Sequence, residues 1–257
     1  MKISQQHFLI TGANRGIGRA VALMAASQKA HVHLVMRKPD AELETEVKNA
    51  GAASVKTWVA DLSTRSGVED LLKNLHHQRI DILFNNAGVL TGGLIEEQPI
   101  DDIYTLVQVN IAALIHLTKG ILPGMLERKH GKIINHGSVS SYMYFPCAST
   151  YAASKAAVMA FTSCLQAELQ PTDVTALCLI TPGIKTRMFD EIDVKYSKNL
   201  EVPNDSISPS AYALQIKAAI EDDRAYLLPQ GKTAIGLWMA RYLPGTFQKV
   251  VGSRFRR

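Results

Sequence analysis

The chain has 257 residues, of which 47% are hydrophobic, and its formal net charge at pH 7 is +5. This hydrophobic fraction is usual for a soluble globular protein, and the length is compatible with one α/β domain. Three cysteines without C-x-x-C pairing, no secretory signal and no apolar run of membrane-spanning length predict a cytoplasmic protein with reduced thiols.

The positive charge is concentrated near the end of the sequence. Residues 232–257 contain six Lys and Arg and no Asp or Glu, which makes the segment +6 and leaves −1 for residues 1–231. The body of the protein is therefore close to neutral, and we expect no nucleic-acid partner.

The first elements predict a dinucleotide-binding unit. An apolar strand at 7–11 leads into glycines at 12–18 with the spacing G-x-x-x-G-x-G, followed by a helical pattern and a second strand at 31–36. Glycines let the backbone approach a pyrophosphate, and the helix N-terminus offers N–H groups to it. The alternative is a tight turn with a purely structural role.

Strands and helices continue to alternate to residue 229. We predict strands at 55–62, 79–88, 132–138, 174–183 and 224–229, and helices at 65–77, 100–128 and 151–170. The pattern predicts a single Rossmann-type α/β domain over 1–257, a doubly wound parallel sheet with helices on both faces. Ligands of such sheets bind at the carboxyl ends of the strands.

Residues 185–210 interrupt this alternation, because they are polar, irregular in pattern and contain two prolines. A long loop in a compact domain is usually functional. It follows the sixth strand, so we predict a lid over the ligand crevice.

Tyr151 and Lys155 are four residues apart, a spacing that places them on one face of a helix. A neighbouring ammonium group favours the phenolate and lowers the pKa of a tyrosine, so the pair is a candidate for proton transfer. The same spacing also occurs by chance on solvated helices.

Several motifs in this order resemble those of the short-chain dehydrogenase/reductase family over about residues 3–230. They are Thr11-Gly12-x-x-x-Gly16-x-Gly18, Asp61-Leu62, Asn85-Asn86-Ala87-Gly88, Asn110, Ser138, Tyr151, Lys155 and Pro182-Gly183. The predicted cofactor-binding residues are Gly12, Asn14, Arg15, Gly16, Ile17, Gly18, Arg37, Asp61, Leu62, Asn86, Ala87, Gly88, Tyr151, Lys155, Pro182, Gly183 and Thr186.

The resemblance also implies catalytic roles. Tyr151 exchanges a proton with the substrate oxygen, and Lys155 lowers its pKa and holds the nicotinamide ribose. Ser138 orients the carbonyl oxygen, and Asn110 holds a water that links Lys155 to solvent. No metal is implied, and no metal-ligand spacing is present.

Two features depart from the family pattern. Only Ile184 and Lys185 separate Gly183 from Thr186, where the family usually has three residues. The glycine-rich ending that helps members to form tetramers is replaced by the basic tail.

The end of the second strand predicts the cofactor. An NAD enzyme places an acid here for the ribose hydroxyl, whereas Arg37 and Lys38 precede the first acid, Asp40. With Arg15 in the glycine turn, this predicts NADP(H) over NAD(H). The alternative is that Arg37 is merely a solvated strand end.

We therefore predict an NADP(H)-dependent carbonyl reductase or alcohol dehydrogenase acting on a small molecule. The rivals are a non-catalytic NADPH sensor or scaffold, which the complete set of catalytic residues disfavours, and a nucleotide-sugar epimerase or dehydratase, which the length disfavours. The predicted substrate wall comprises the lid and Ser140, Tyr142, Tyr144, Phe145 and Cys147.

Two further predictions concern partners. The stretches 101–126 and 151–169 are apolar on more than one face, and relatives pair these helices, so we predict a homodimer, with a tetramer less favoured. The tail, 232–257, is predicted to form a helix at 232–243 that ends at Pro244-Gly245. Its cations and apolar residues suit either peripheral contact with an anionic membrane or packing on the protein, and packing is slightly favoured.

Overall fold

The computed structural model describes residues 1–196, 199 and 206–257, without the side chains of 192–196. Seven parallel strands form one sheet in the order β3-β2-β1-β4-β5-β6-β7. This confirms the predicted fold class; the assignment of 1–257 to one domain stays a prediction. The strands are β1 His7–Thr11, β2 His31–Met36, β3 Ser54–Val59, β4 Ile82–Asn85, β5 Gly131–His136, β6 Val174–Leu179 and β7 Tyr226–Leu227.

The helices follow the strands as expected for a doubly wound sheet. They are α1 Gly16–Ser27, α2 Ala41–Asn49, α3 Arg65–Leu75, α4 Ile100–Val107, α5 Ala113–Glu127, α6 Ser149–Leu169, α7 Arg187–Tyr196, α8 Pro209–Glu221, α9 Gly231–Tyr242 and α10 Pro244–Gly252. The sequence pattern predicts no helix at α2 or α8. Each begins at a polar cap: Asp40 accepts from Leu43 N, and Ser208 accepts from Ala211 N.

The side chains of successive residues in a strand lie on opposite faces of the sheet and pack into two different cores. In β1, Phe8 and Ile10 pack into a core covered by α1, α2 and α8, whereas Leu9 packs into a core covered by α3, α5 and α6. Both faces of the strand are buried, which explains its continuous apolar sequence.

Two predicted elements were wrong in detail. The helix predicted at 100–128 contains a π-helical turn at Gln108–Ala112, and part of the predicted irregular loop is helical in α7. The helix predicted at 232–243 is found as α9, which ends at Tyr242, just before Pro244-Gly245. Pro244 then starts α10, because a proline in the first turn of a helix lacks only an N–H that has no intrahelical partner. Residues 197, 198 and 200–205 of the predicted lid lie outside the described residues.

Within the part of the chain that the structure describes, one helical run, Ile100–Glu127, is long and apolar enough to cross a membrane by length and composition. Sequence analysis had found no such run. In the structure its buried residues, such as Leu117 and Met125, pack into the core beneath α3 and α6. Burial within the protein explains its apolar sequence.

The sheet reverses its winding between β1 and β4. The chain leaves β1 towards β2 and β3 on one side, and later strands are added from β4 onwards on the other. A crevice at the carboxyl ends of β1 and β4 is the usual ligand position in such sheets.

Candidate active site

The glycine turn lies at this crevice, between β1 and α1. Gly12 and Gly16 have φ values of +64° and +56°, a backbone conformation that residues other than glycine rarely adopt. A Cβ atom on Gly18 would lie only 2.2 Å from the carbonyl oxygen of Gly12, so the turn and α1 are in very close contact. The N-terminus of α1, which no side chain caps, is open to an anionic group.

Thr11 and Asn86 fasten this turn to the end of β4. The hydroxyl oxygen of Thr11 accepts from the backbone N–H groups of Asn86 and Ala87, both at 2.9 Å. The amide nitrogen of Asn86 donates to the carbonyl oxygens of Thr11 at 2.9 Å and Gly12 at 3.2 Å. The shape of the turn therefore depends on the motif that follows β4.

The residues after β2 and β3 border the same edge of the sheet. Arg15 and Arg37 are exposed, whereas Asp40 accepts from the backbone N–H of Leu43 and thereby caps α2. Asp61 accepts hydrogen bonds from the hydroxyl and backbone N–H of Ser63. These bonds, followed by the charge of Arg37, lower the pKa of Asp61.

Asn110 lies in the π-helical turn, a feature often associated with functional sites. Its side chain is buried, with Oδ1 accepting from Val89 N at 2.9 Å and Nδ2 donating to Val89 O at 3.0 Å. Nδ2 also donates to the hydroxyl of Ser154 at 3.1 Å, which in turn donates to Tyr151 O. Asn110 thus joins the chain after β4 to the first turns of α6.

Ser138 and Tyr151 face each other across the segment between β5 and α6. Ser138 Oγ accepts from Ser140 N at 3.1 Å, and the Ser138 side chain is near enough to the Tyr151 hydroxyl to lower its pKa. Burial raises the pKa of Tyr151 to about 12, against the smaller lowering effect of Ser138. The sequence predicts a lowered pKa for Tyr151, whereas burial raises it in the structure.

Lys155 is buried one helical turn after Tyr151, with Nζ 5.6 Å from the centroid of the tyrosine ring. Nζ donates to the carbonyl oxygen of His136 at 2.8 Å. Burial lowers the pKa of Lys155 to about 8. The predicted lowering of the Tyr151 pKa by Lys155 is not found in this arrangement.

His136 is a site residue that the motifs do not predict; it lies within the strand predicted at 132–138. Its Nδ1 lies 3.0 Å from Oδ1 of Asn86. Because the nitrogen of the Asn86 amide faces two carbonyl oxygens, Oδ1 faces His136 and Nδ1 must carry the proton. Burial lowers the pKa of His136 to about 3, so the ring is neutral. His136 links the glycine turn, through Asn86, to Lys155.

The turn after β6 returns to the glycine turn. A Cβ atom on Gly16 would lie 3.2 Å from the methyl group of Thr186. Backbone bonds from Lys185 N to Ile207 O and from Ile207 N to Gly183 O close the base of the segment 183–207. Thr186 therefore lies over the predicted cofactor turn despite the shorter spacing after Pro182-Gly183.

The predicted substrate wall supports the C-terminal helices. Phe145 contacts Phe247 edge to face, with ring centroids 5.8 Å apart, and Phe255 packs against buried Cys147. The guanidinium of Arg241 lies over the ring of Tyr142. Tyr144 is exposed, and Ser140 is partly buried.

Comparisons with known proteins agree with this arrangement. A family model described as short chain dehydrogenase matches residues 6–197. An uncharacterised oxidoreductase of Staphylococcus epidermidis is 32% identical over 206 residues, which cover 79% of this chain and 88% of that protein.

Two other similar proteins carry more specific names. A 3-ketodihydrosphingosine reductase of Bacteroides thetaiotaomicron is 33% identical over 182 residues, covering 69% of this chain and 63% of that protein. A short-chain dehydrogenase from Sphingobium yanoikuyae, solved in complex with NADPH, has a TM-score of 0.81 at 24% identity and covers 98% of this chain and 97% of its own. Because the family model matches most of the chain and its relatives are oxidoreductases, this protein belongs to the short-chain dehydrogenase/reductase family of enzymes, which use a nicotinamide cofactor on small molecules.

Proposed function

We propose that this enzyme is an NADP(H)-dependent oxidoreductase that interconverts a carbonyl compound and a secondary alcohol. One observation carries the proposal: Tyr151, Lys155, Ser138 and Asn110 come from three separate segments and lie around the chain after β4, which Thr11 and Asn86 fasten to the glycine turn. A Cβ atom on Gly88 would lie 3.3 Å from Asn110 Oδ1 and 3.9 Å from Lys155 Nζ, so the backbone after β4 adjoins both groups.

In the proposed reduction, the hydroxyl of Tyr151 donates its proton to the carbonyl oxygen. Ser138 donates a hydrogen bond to the same oxygen and supports the negative charge that develops there. The raised pKa of Tyr151, about 12, keeps the phenol protonated at neutral pH, which favours its role as the acid. The bound nicotinamide supplies the hydride.

Lys155 and Asn110 have supporting roles. We propose that Lys155 binds the nicotinamide ribose and that, in the cofactor complex, its positive charge favours the phenolate that Tyr151 becomes after giving up its proton. Asn110, which is held by Val89 and Ser154, positions a water molecule between Lys155 and solvent.

The cofactor is NADP(H) rather than NAD(H). The two positive φ values of the glycine turn and the uncapped start of α1 suit a pyrophosphate. Arg37 and Arg15 are exposed for a ribose 2′-phosphate, and Asp40 is occupied in capping α2. The similar Sphingobium enzyme is described in complex with NADPH.

The experiment is to follow NADPH oxidation with a panel of ketones and aldehydes. Tyr151→Phe is expected to bind NADPH normally but to lose roughly a hundredfold or more in kcat, the usual size of a general-acid effect. Tyr226→Phe is the matched control, because its hydroxyl pairs with Ser163 away from the cluster.

Two outcomes would contradict the proposal. Retention of more than about a tenth of kcat in Tyr151→Phe would remove Tyr151 from the chemistry. NADPH binding without turnover of any carbonyl compound would instead support the non-catalytic sensor or scaffold.

We further propose a cytoplasmic homodimer that uses one helical face. Ile100, Tyr104 and Val107 of α4 and Ile115 of α5 are exposed and spaced along one side of the run. On α6, Ala153 and Ala160 are exposed and small, which lets a partner helix approach closely. A tetramer is less favoured, because this chain lacks the glycine-rich ending that helps other family members to form one.

A further inference from the structure

The hydrophobic residues of the tail fall into two sets. Phe247, Val251 and Phe255 face inwards and pack against the segment 143–148, so these side chains are not free to enter a membrane. Leu237 and Ala240 of α9 are likewise buried. These residues fix α9 and α10 on the protein.

The second set faces outwards on α9. Its spacing of three and four residues places Ile235, Trp238 and Tyr242 along one side of the helix, and Leu243 follows directly. The exposed fractions are 69% for Ile235, 56% for Trp238, 59% for Tyr242 and 47% for Leu243. We call these four residues the α9 stripe. Such a group of large apolar side chains on one exposed helix indicates an interaction surface.

Cations border the α9 stripe. At 100° per residue, Lys232 and Arg241 lie on its two flanks, and both are exposed. The guanidinium of Arg241 lies 5.5 Å from the ring centroid of Tyr242, so charge and aromatic surface are in contact. Lys249 on α10 is exposed as well, and 232–257 contains no acid.

We propose that the α9 stripe docks on an anionic membrane surface. Trp and Tyr prefer the boundary between headgroups and acyl chains, and Lys or Arg beside them reach the lipid phosphates. The helix would lie in the plane of the membrane, with Ile235 and Trp238 inserted and the flanking cations in the headgroup layer.

A second copy of the chain is a poorer occupant of the same surface. A two-fold contact through the α9 stripe would bring the cations beside the stripe close to those of the second copy, and no acid of the tail would offset them. The apolar face of α4, in contrast, has Asp101 and Asp102 beside it and carries no such excess of positive charge.

The test is binding of the full-length protein to lipid vesicles. We expect sedimentation with vesicles of phosphatidylcholine containing 30% phosphatidylserine, weakening as salt rises, and much weaker sedimentation with phosphatidylcholine alone. The protein contains only two tryptophans, Trp58 and Trp238. Brominated lipids should quench the fluorescence of Trp238, and in Trp238→Phe the remaining Trp58 signal should be insensitive to them.

Two double variants separate the contribution of apolar insertion to vesicle binding from the contribution of positive charge. Ile235→Ser/Trp238→Ser is expected to weaken binding at least about tenfold, from the loss of apolar insertion. Lys232→Gln/Lys249→Gln is expected to weaken it roughly thirtyfold, from the loss of two cations near an anionic surface. Leu214→Ser on α8, where the side chain is 63% exposed, and Lys2→Gln/Lys48→Gln are the matched controls and should bind like the wild type.

Three outcomes would overturn the proposal. They are no binding to anionic vesicles at low salt, equal binding by the stripe variant and the wild type, and a fall in solution mass of the stripe variant that reveals a second copy on this face. Circular dichroism of each variant establishes that it is folded.

Discussion

Arg37 is the first residue after β2, and its side chain is exposed at the carboxyl edge of the sheet. We predict that Arg37→Asp raises the Kd for NADPH at least about tenfold, because a charge-assisted hydrogen bond to the 2′-phosphate is replaced by repulsion. The Kd for NADH should change little. Isothermal titration with both cofactors measures the difference.

Lys48→Asp is the control for this experiment, because it makes the same change of charge on the exposed side of α2. Equal affinities of the wild type for NADPH and NADH would refute the cofactor preference. Equal losses for both cofactors in Arg37→Asp would show that Arg37 supports the fold rather than the phosphate.

At the residue scale, the sequence predicted which residues form the candidate site better than it predicted their pKa values. Tyr151, Lys155, Ser138 and Asn110 could be named because motifs preserve residue type and spacing. The pKa of Tyr151 could not be predicted, because it depends on burial, which opposes the effect of a neighbouring cation. His136 was missed because its role exists only once β5 lies beside β4 and its ring meets Asn86.

At the scale of elements, the junction of β1 and α1 has little room. We predict that Gly18→Ala lowers both thermal stability and cofactor affinity, because the new methyl group would lie 2.2 Å from Gly12 O and must push α1 away from the turn. The expected loss of unfolding free energy is about 1–3 kcal/mol, as for other overpacked sites. Urea unfolding and NADPH titration provide the measurements.

Gly245→Ala is the matched control, since nothing lies within 4 Å of its added Cβ atom and the residue lies in α10. It should be neutral or slightly stabilising. If Gly18→Ala behaves like Gly245→Ala, the close contact between the turn and α1 does not exist in solution.

The buried strands could be predicted from their apolar runs, and β7 was found although it has only two residues. Helices with polar surfaces were harder to predict. α2 has two buried residues, Leu43 and Val47, too few for a clear period. The π-helical turn around Asn110 could not be predicted, because one turn with an extra residue hardly changes the composition of the apolar helical run in which it lies.

At the scale of the whole molecule, three histidines lie at the amino ends of β1 and β2, away from the candidate site. His33 is buried, with Nε2 3.1 Å from His7 Nδ1 and with Nδ1 accepting from Trp58 Nε1 at 3.2 Å. The His7 and His31 rings stack at 4.4 Å. Burial, followed by the charge of His7, lowers the pKa of His33 to about 4.

This shift predicts loss of stability in acid. Between pH 6.5 and 4 the unfolded chain binds a proton at His33 that the folded chain does not, so unfolding becomes easier as pH falls. From pH 7 to pH 5 the expected loss is on the order of 2 kcal/mol. Urea unfolding at both values measures it.

His33→Phe should lower stability at pH 7 but flatten its pH dependence, because the titrating group is removed. His77→Gln, on an exposed residue, should leave the dependence unchanged. An unchanged slope in His33→Phe would assign the acid sensitivity to other groups.

Assembly gives a second prediction at this scale. Tyr104 on α4 is 72% exposed, and Tyr104→Glu should convert the proposed homodimer into a monomer, because an isologous contact places the introduced charge beside its own copy. Leu214→Glu is the control on another exposed helix. Light scattering that gives a monomer mass for the wild type at micromolar concentration would contradict the dimer.

The path of the tail has a consequence for the order in which the enzyme matures. The last strand of the sheet ends at Leu227, whereas Phe247, Val251 and Phe255, which back the segment between Ser138 and Tyr151, are synthesised afterwards. The segment between Ser138 and Tyr151 is therefore among the last parts of the molecule whose packing can be completed, because that packing requires residues that follow the last strand.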